Sequence, residues 1–166
     1  MTHASYRSGG EHRSGERGAH DSRPLIDRVA ADWGNVLWLI GRILIGGIFV
    51  FSGLGKLADL HGFATMLDTA GVPVAWVMAP IGAGVEFLGG LAIVLGLATR
   101  YAALVMIAFV IGATLISHRF WASPADQWML QMIQFIKNVA IVGGFLFVFV
   151  TGGGHLSLER WLRKRG

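Results

Sequence analysis

Four long apolar runs constrain this chain more than any other feature of its sequence, and they occupy residues 36–57, 74–97, 101–119 and 129–150. Each is long enough to cross ~30 Å of hydrocarbon as a helix, which takes roughly 17–25 residues. None shows the alternation of apolar and polar residues that is typical of a membrane β-barrel. The sequence therefore predicts an all-α membrane protein, a bundle of four transmembrane helices with short interfacial helices, in contact with the lipid bilayer.

The segments outside these runs differ from them in composition. Residues 1–24 are rich in Gly, Ser, His and Arg, and they contain too few large apolar side chains to form a core, which predicts a disordered cytoplasmic tail. Residues 25–35 have an apolar face that includes Trp33, as expected of an interfacial helix. The membrane domain is then predicted over 36–151. Residues 156–166 form a basic cytoplasmic tail, of which 157–166 has the pattern of a second interfacial helix.

The basic residues predict the orientation in the membrane. Ten of the 14 Lys and Arg residues fall on one side of the four spans: Arg7, Arg13, Arg17, Arg23, Arg28, Arg100, Arg160, Arg163, Lys164 and Arg165. The loops on the other side contain Arg119. The positive-inside rule then predicts a multi-pass protein of the bacterial inner (plasma) membrane, with both termini in the cytoplasm. This clustering accounts for the basic balance of the chain without nucleic acid as a partner.

Several kinds of chemistry are excluded or unsupported by residue types. The chain has no cysteine, so it has no disulfide, reactive thiolate or cysteine-ligated metal. His61 and His118 are predicted on the same side of the membrane, but no third ligand accompanies them, and we predict no metal site. No pair of histidines inside the spans suits a haem, and no flavin motif is evident. The glycine run 152–154 lacks the GK[ST] of a phosphate loop and is interpreted as a helix stop.

Ionisable side chains inside the apolar runs are the least expected feature of the sequence, because each costs a few kcal/mol in hydrocarbon. Apart from His118 and Arg119 at the outer end of the third run, the spans contain four of them: Arg42, Lys56, Glu86 and Lys137. Glu86 is flanked by small residues, which predicts a position on a helix-packing face. Gln134 and Asn138 continue a polar stripe on the fourth span, and His118 closely follows the third.

Two interpretations of these charges remain open at this point. In the structural one, Glu86 neutralises Arg42 or Lys137 and sets how the helices pack. Helix rise places Glu86 roughly 18 Å and Lys137 roughly 13 Å from the outer face, so either pair is feasible. In the functional one, the polar groups line a pocket that opens toward the periplasm. Cations outnumber carboxylates there, so a quinone carbonyl, an oxyanion or a lipid phosphate would be a suitable ligand.

An ordered set of residues over 39–159 resembles the DoxX family of small bacterial membrane proteins. The set comprises Arg42, Phe49, Ser52-Gly53-x-x-Lys56, Gly71-x-Pro73, Glu86-x-x-Gly89-Gly90, Gly96, Arg100, His118-x-Phe120-Trp121, Lys137-Asn138-x-Ala140, Gly143-Gly144 and Gly152-x-Gly154-x-x-Ser157-Leu158-Glu159. The family usually has Asp where this chain has Glu159. The residues that carry the resemblance include the intramembrane charges.

The resemblance implies a four-helix membrane bundle and a role in redox metabolism, since the family takes its name from the membrane subunit of a thiosulfate:quinone oxidoreductase. Our leading hypothesis is a membrane subunit of an oxidoreductase complex with quinone as cofactor and a soluble redox protein as partner. Glu86, Lys137 and His118 would be catalytic, and Lys56, His118, Asn138 and Gln134 would bind the quinone. Arg42 and Glu86 would form a structural charge pair.

Two alternatives belong to other functional classes. A small-solute transporter or carrier would need dimerisation, because four helices are few for transport, and the small-residue faces allow a homo-oligomer. A non-catalytic membrane scaffold for a soluble partner would need the charges for folding alone.

Overall fold

The computed structural model describes residues 24–165, so the predicted disordered tail, 1–24, lies outside the described residues except for Pro24. The described chain forms α1 (Leu25–Ala58), α2 (Leu60–Thr69), α3 (Ala75–Leu95), α4 (Thr99–Ser117), a 3-10 turn (Phe120–Ala122), α5 (Ala125–Thr151) and α6 (Leu158–Arg163). It contains no strand in this part. Four segments, Leu25–Ala58, Ala75–Leu95, Thr99–Ala122 and Ala125–Thr151, are long and apolar enough to cross a membrane. The predicted all-α class with four transmembrane helices is confirmed.

The N-terminal part of α1 differs from the expectation of a separate interfacial helix at 25–35. The structure has a single continuous helix from Leu25 to Ala58. Gly34 is the single helix-weakening residue near the expected break, and one glycine without a proline does not interrupt a helix. The bundle described below begins at Trp33.

The bundle core joins all four spans. Phe49 of α1, Ile93 of α3, Met106 of α4 and Phe145 of α5 are buried together, and the rings of Phe49 and Phe145 lie 5.4 Å apart. Large apolar side chains cover the outside, among them Phe51 and Phe147. In water such a surface would be unfavourable, whereas in a bilayer it is solvated by lipid.

Glycines let α1 and α3 approach each other closely. A Cβ atom at Gly46 would lie 2.8 Å from the carbonyl oxygen of Gly90, and one at Gly53 would lie 2.6 Å from the amide nitrogen of Phe87. Backbone atoms cannot move aside as a flexible side chain does, so both positions require glycine. These two contacts set the register of α1 against α3.

Gly46→Ala is therefore expected to lower the free energy of unfolding by about 1–3 kcal/mol, the usual cost of overpacking. Gly47 is its matched control, because nothing lies within 4 Å of a Cβ atom built there. Gly47→Ala is expected to be neutral or slightly stabilising. Denaturant titration in mixed detergent micelles measures both values. Equal effects of the two variants would contradict the close packing.

The short helix α2 packs on the first turns of α3. Ala64 and Leu67 of α2 are buried against Ala75 and Ala79 of α3. A Schellman motif ends α2: the Gly71 amide donates to Asp68 O and the Val72 amide to Leu67 O, with Gly71 at φ +81°. We refer to this end of the bundle as the α2 end.

The opposite end, the α6 end, is closed by the segment that follows α5. The Trp38 indole donates to Gly152 O at 3.0 Å, the Arg42 guanidinium donates to Leu156 O, and the Glu159 amide donates to Gly96 O at 3.1 Å. The basic tail predicted over 156–166 is thus tied to the helices, and α6 occupies Leu158–Arg163 within it.

Candidate functional site

An ion pair joins α1 and α3 near the α2 end. Because Gly53 lies against Phe87, Lys56 is brought beside Glu86, and the Lys56 ammonium pairs with the Glu86 carboxylate. Glu86 is 3% exposed, so its charge depends on this partner. The Lys56 Nζ also lies 5.2 Å from the centre of the Phe63 ring, on α2, in a cation–π contact.

Polar side chains link α4 and α5 across from this pair. His118 Nδ1 and Gln131 Oε1 are 2.9 Å apart and form a hydrogen bond. The Asn138 amide nitrogen donates to Thr114 Oγ1 at 2.8 Å, and this hydroxyl donates to Val110 O at 2.6 Å. These bonds orient His118 and Asn138.

One cavity of about 170 Å³ lies between the two groups. Five polar or charged side chains of the predicted site line it: Lys56, Glu86, His118, Lys137 and Asn138. Its remaining wall comes from apolar residues and two serines: Ile48, Phe49, Ser52, Phe109, Val110, Ala113, Ser117 and Ile141. Four helices or their ends thus contribute to a single polar space inside an apolar bundle.

Lys137 is the unbalanced charge of this cavity. Within residues 24–165 its side chain takes part in no hydrogen bond, ion pair or ring contact. Glu86 is already paired with Lys56. The cavity therefore has one ammonium group that is available to a ligand with an acceptor atom.

A second, apolar cavity of about 280 Å³ adjoins the first. The two share Lys56, Phe109, Ala113 and Ser117 in their walls. The apolar cavity extends between α2, α3 and α4, where Met66, Met78 and Ile116 line it. Polar and apolar spaces in contact suit a ligand with a polar head and an apolar tail.

Comparison with known proteins assigns the chain to a family. A family model named DoxX matches residues 37–119. The chain belongs to the DoxX family. Inner membrane protein YphA of Escherichia coli (strain K12) is 36% identical over 125 residues, covering 75% of this chain and 89% of the relative. Inner membrane protein YqjF of the same organism is 35% identical over 127 residues, covering 76% and 92%.

Two further matches extend the comparison. The uncharacterized membrane protein Rv3486 of Mycobacterium tuberculosis (strain ATCC 25618 / H37Rv) is 28% identical over 131 residues, covering 75% of this chain and 80% of the relative. A second family model, the SURF4 family, matches residues 85–165. No solved structure matches the chain. The resemblance to DoxX found in the sequence is thus confirmed.

The predicted charge pair of this DoxX-family protein, Arg42 with Glu86, is wrong. Arg42 lies at the α6 end, where its guanidinium donates to Leu156 O, and Glu86 pairs with Lys56. A Glu86–Lys137 pair is also absent from the described chain. The error came from measuring depth from the ends of the apolar runs, whereas the glycine contacts place Glu86 only two residues, about 3 Å, from the level of Lys56.

Gln134 does not line the polar cavity, although the sequence grouped it with Asn138. Phe135 is the residue of that turn that lies toward α4, since it lines an apolar space with Thr114 and its ring is 5.3 Å from that of Phe120. Gln134 lies one turn, about 6 Å, before Asn138 on α5, and the residues that line the polar cavity do not include it.

Thr114 was not predicted as part of the site. Its hydroxyl accepts a hydrogen bond from the Asn138 amide nitrogen. Thr114 lies four residues before His118, which directly follows α4. That spacing on one helix face is the signal that identifies it. Among residues 24–165 no group of three His, Asp or Glu side chains is arranged to hold a metal ion.

Proposed function

We propose that this DoxX-family protein is an inner-membrane subunit that binds a quinone in its polar cavity and so serves quinone-linked redox metabolism. The similarity to the inner membrane proteins YphA and YqjF supports the location. The α6 end would face the cytoplasm, because the basic residues of loop and tail lie there. The observation that carries the proposal is the unpartnered Lys137 in a cavity opposite the Lys56–Glu86 pair.

The groups around the cavity match the chemistry of a quinone. A quinone ring is planar and apolar, with carbonyl acceptors at opposite edges. Lys56 comes from α1, and Lys137, Asn138 and His118 come from α5 and the end of α4, so different helices supply hydrogen-bond donors to the same cavity. Quinones of membranes also have a long apolar chain, for which the adjoining cavity offers room. Together the two cavities, of about 170 and 280 Å³, have the size of small-molecule sites, roughly 300–1,000 Å³.

Each residue would have a defined task in this site. A bound quinone would supply two-electron, two-proton redox chemistry, with the electrons delivered by a soluble redox protein. The Lys137 ammonium would donate to a carbonyl oxygen and stabilise negative charge that develops there. His118 would donate or accept a proton through Nε2, because Nδ1 is held by Gln131. The Lys56–Glu86 pair would hold a proton between two groups already in contact.

Thermal unfolding in detergent with and without soluble ubiquinone and menaquinone analogues tests the proposal. At a hundredfold excess over the dissociation constant, ligand binding to the native state is expected to add about 2.7 kcal/mol of stability. Lys137→Met is expected to abolish this increase. The variant alone should be as stable as the wild type or more so, because the lost charge has no partner in the described chain.

Ile136→Met is the matched control, since Ile136 neighbours Lys137, is 57% exposed and lines neither cavity. It should keep the full response to quinone. Absence of any response in the wild type, or an equal response in wild type and Lys137→Met, would refute quinone binding at this cavity.

A further inference from the structure

The α6 end contains a third cavity, unrelated to the proposed quinone site. It measures about 740 Å³ and is lined by the loop between α3 and α4, by the end of α5 and by α6. Three arginines border it: Arg100, Arg160 and Arg163. The three consecutive glycines at 152–154 form another part of the wall.

Positive charge exceeds negative charge around this cavity. Glu159 is the single acidic residue among those that line it, and it is paired with Arg163 at 2.6 Å. Arg42 adds a further positive charge nearby, since a Cβ atom at Gly96 would contact both the Arg42 guanidinium and Ser157, a lining residue. Arg42 is 1% exposed, and its Nε and Nη1 atoms have no hydrogen-bond partner within the described chain. The electrostatic potential therefore favours an anion.

Several backbone acceptors around the cavity are already occupied. The carbonyl oxygens of Val150, Gly152 and Gly154 accept from Arg100, Trp38 and Ser157 respectively. Gly96 O accepts from the Glu159 amide. With these acceptors occupied, the cavity offers charged donors, above all the Arg160 guanidinium. A phosphate, which has acceptor oxygens and negative charge, matches this arrangement.

Apolar surface adjoins the charged wall. Tyr101 and Leu97 line the cavity and are 77% and 40% exposed, at the point where the lipid-facing surface of α4 begins. Trp161 and Leu162 of α6 are also about half exposed. A free anion would leave Tyr101 and Leu97 without a contact, whereas the acyl chains of a phospholipid would lie along them.

We propose that this cavity binds the phosphate headgroup of an anionic phospholipid, with Arg100, Arg160 and Arg163 around the phosphate and the acyl chains against Tyr101 and Leu97. The site holds a lipid at the junction of α4, α5 and α6. It is independent of quinone binding, because the two cavities have no lining residue in common.

Native mass spectrometry of the full chain in detergent, with added phosphatidylglycerol or phosphatidylcholine, tests this site. We expect the wild type to retain one phosphatidylglycerol molecule and to discriminate against phosphatidylcholine. The double variant R160Q/R163Q is expected to bind phosphatidylglycerol about thirtyfold more weakly, from the loss of two basic contacts. Glu159→Gln is expected to strengthen binding, because it removes the acidic residue that competes for Arg163.

The double variant K164Q/R165Q is the matched control. It removes the same charge from the same tail, but neither residue lines the cavity. It should lose clearly less affinity than R160Q/R163Q, because neither side chain borders the phosphate. Unchanged circular dichroism would show that both double variants keep their helices.

Three results would overturn the proposal. Equal losses in the two double variants would mean that net charge alone attracts the lipid. Displacement of phosphatidylglycerol by an equal concentration of inorganic phosphate would mean that the ligand is a free anion. Equal retention of phosphatidylcholine and phosphatidylglycerol would mean that the arginines do not distinguish an anionic headgroup from a zwitterionic one. An acidic protein partner would then be the occupant to examine.

Discussion

Glu86→Gln is expected to lower the free energy of unfolding by about 3 kcal/mol, the lower end for breaking a buried ion pair. The change keeps the shape of the side chain and removes its charge, so the Lys56 ammonium is left inside the bundle with an amide in place of its counter-charge. Lys56 is 30% exposed, and this exposure holds the loss near the lower end of the range. Denaturant titration in mixed micelles measures the value.

The double variant Lys56→Met with Glu86→Gln distinguishes the effect of breaking the ion pair from a general disruption of the fold. Removing both charges is expected to recover most of the stability, because no uncompensated charge remains. Glu159→Gln is a matched control at an exposed ion pair, that of Glu159 with Arg163, and should lose less than about 1 kcal/mol. If the double variant were as unstable as the two single changes added together, the ion pair would not be the source of the loss.

Gly96→Ala is expected to lower the free energy of unfolding by about 3 kcal/mol, through two effects at one position. Gly96 ends α3 in a Schellman motif at φ +69°, where a side chain is strained by about 1–2 kcal/mol. The new methyl would also meet the buried Arg42 guanidinium and would lie 2.6 Å from Ser157 Cβ. The rest of the expected loss comes from this contact.

Gly71→Ala isolates the backbone strain that a side chain causes at positive φ. Gly71 ends α2 in the same motif at φ +81°, but nothing lies within 4 Å of a Cβ atom there. Its expected loss is the backbone strain alone, about 1–2 kcal/mol. Unfolding of both variants is measured in the same micelles. Equal losses for Gly71→Ala and Gly96→Ala would contradict the packing of Arg42 beneath the α3–α4 loop.

The membrane architecture was the most predictable property of the chain. A bilayer requires roughly 17–25 apolar residues per helix and leaves no alternative for the backbone but internal hydrogen bonds. Length and hydropathy therefore predict the four spans directly. The break expected before Val36 was not predictable in the same way, because a helix can continue out of the apolar region when no residue stops it.

Part of the candidate site could be predicted for a related reason. A charge inside a span is costly, so it has a partner or a function, and this argument selected Lys56, Glu86 and Lys137. It also selected Arg42, which lies at the other end of the bundle. The free-energy cost of a charge inside a span indicates that the residue is important. It does not indicate where along the helix its partner lies. Gln134 shares the polar stripe of Asn138 but does not line the cavity, because residues one turn apart reach different depths along the helix.

The sequence by itself determined the number of spans, the membership of the DoxX family and the set of intramembrane polar residues, because each of these follows from the composition or order of residues along the chain. Only the tertiary structure decided which residues meet. The contacts of Gly46 with Gly90 and of Gly53 with Phe87 set the register of α1 on α3, and that register pairs Lys56 with Glu86. The same register leaves Arg42 beneath the turn at Gly96. Helix register depends on packing between segments that are distant in sequence. Hydropathy cannot predict that register to within one helical turn, about 5.4 Å.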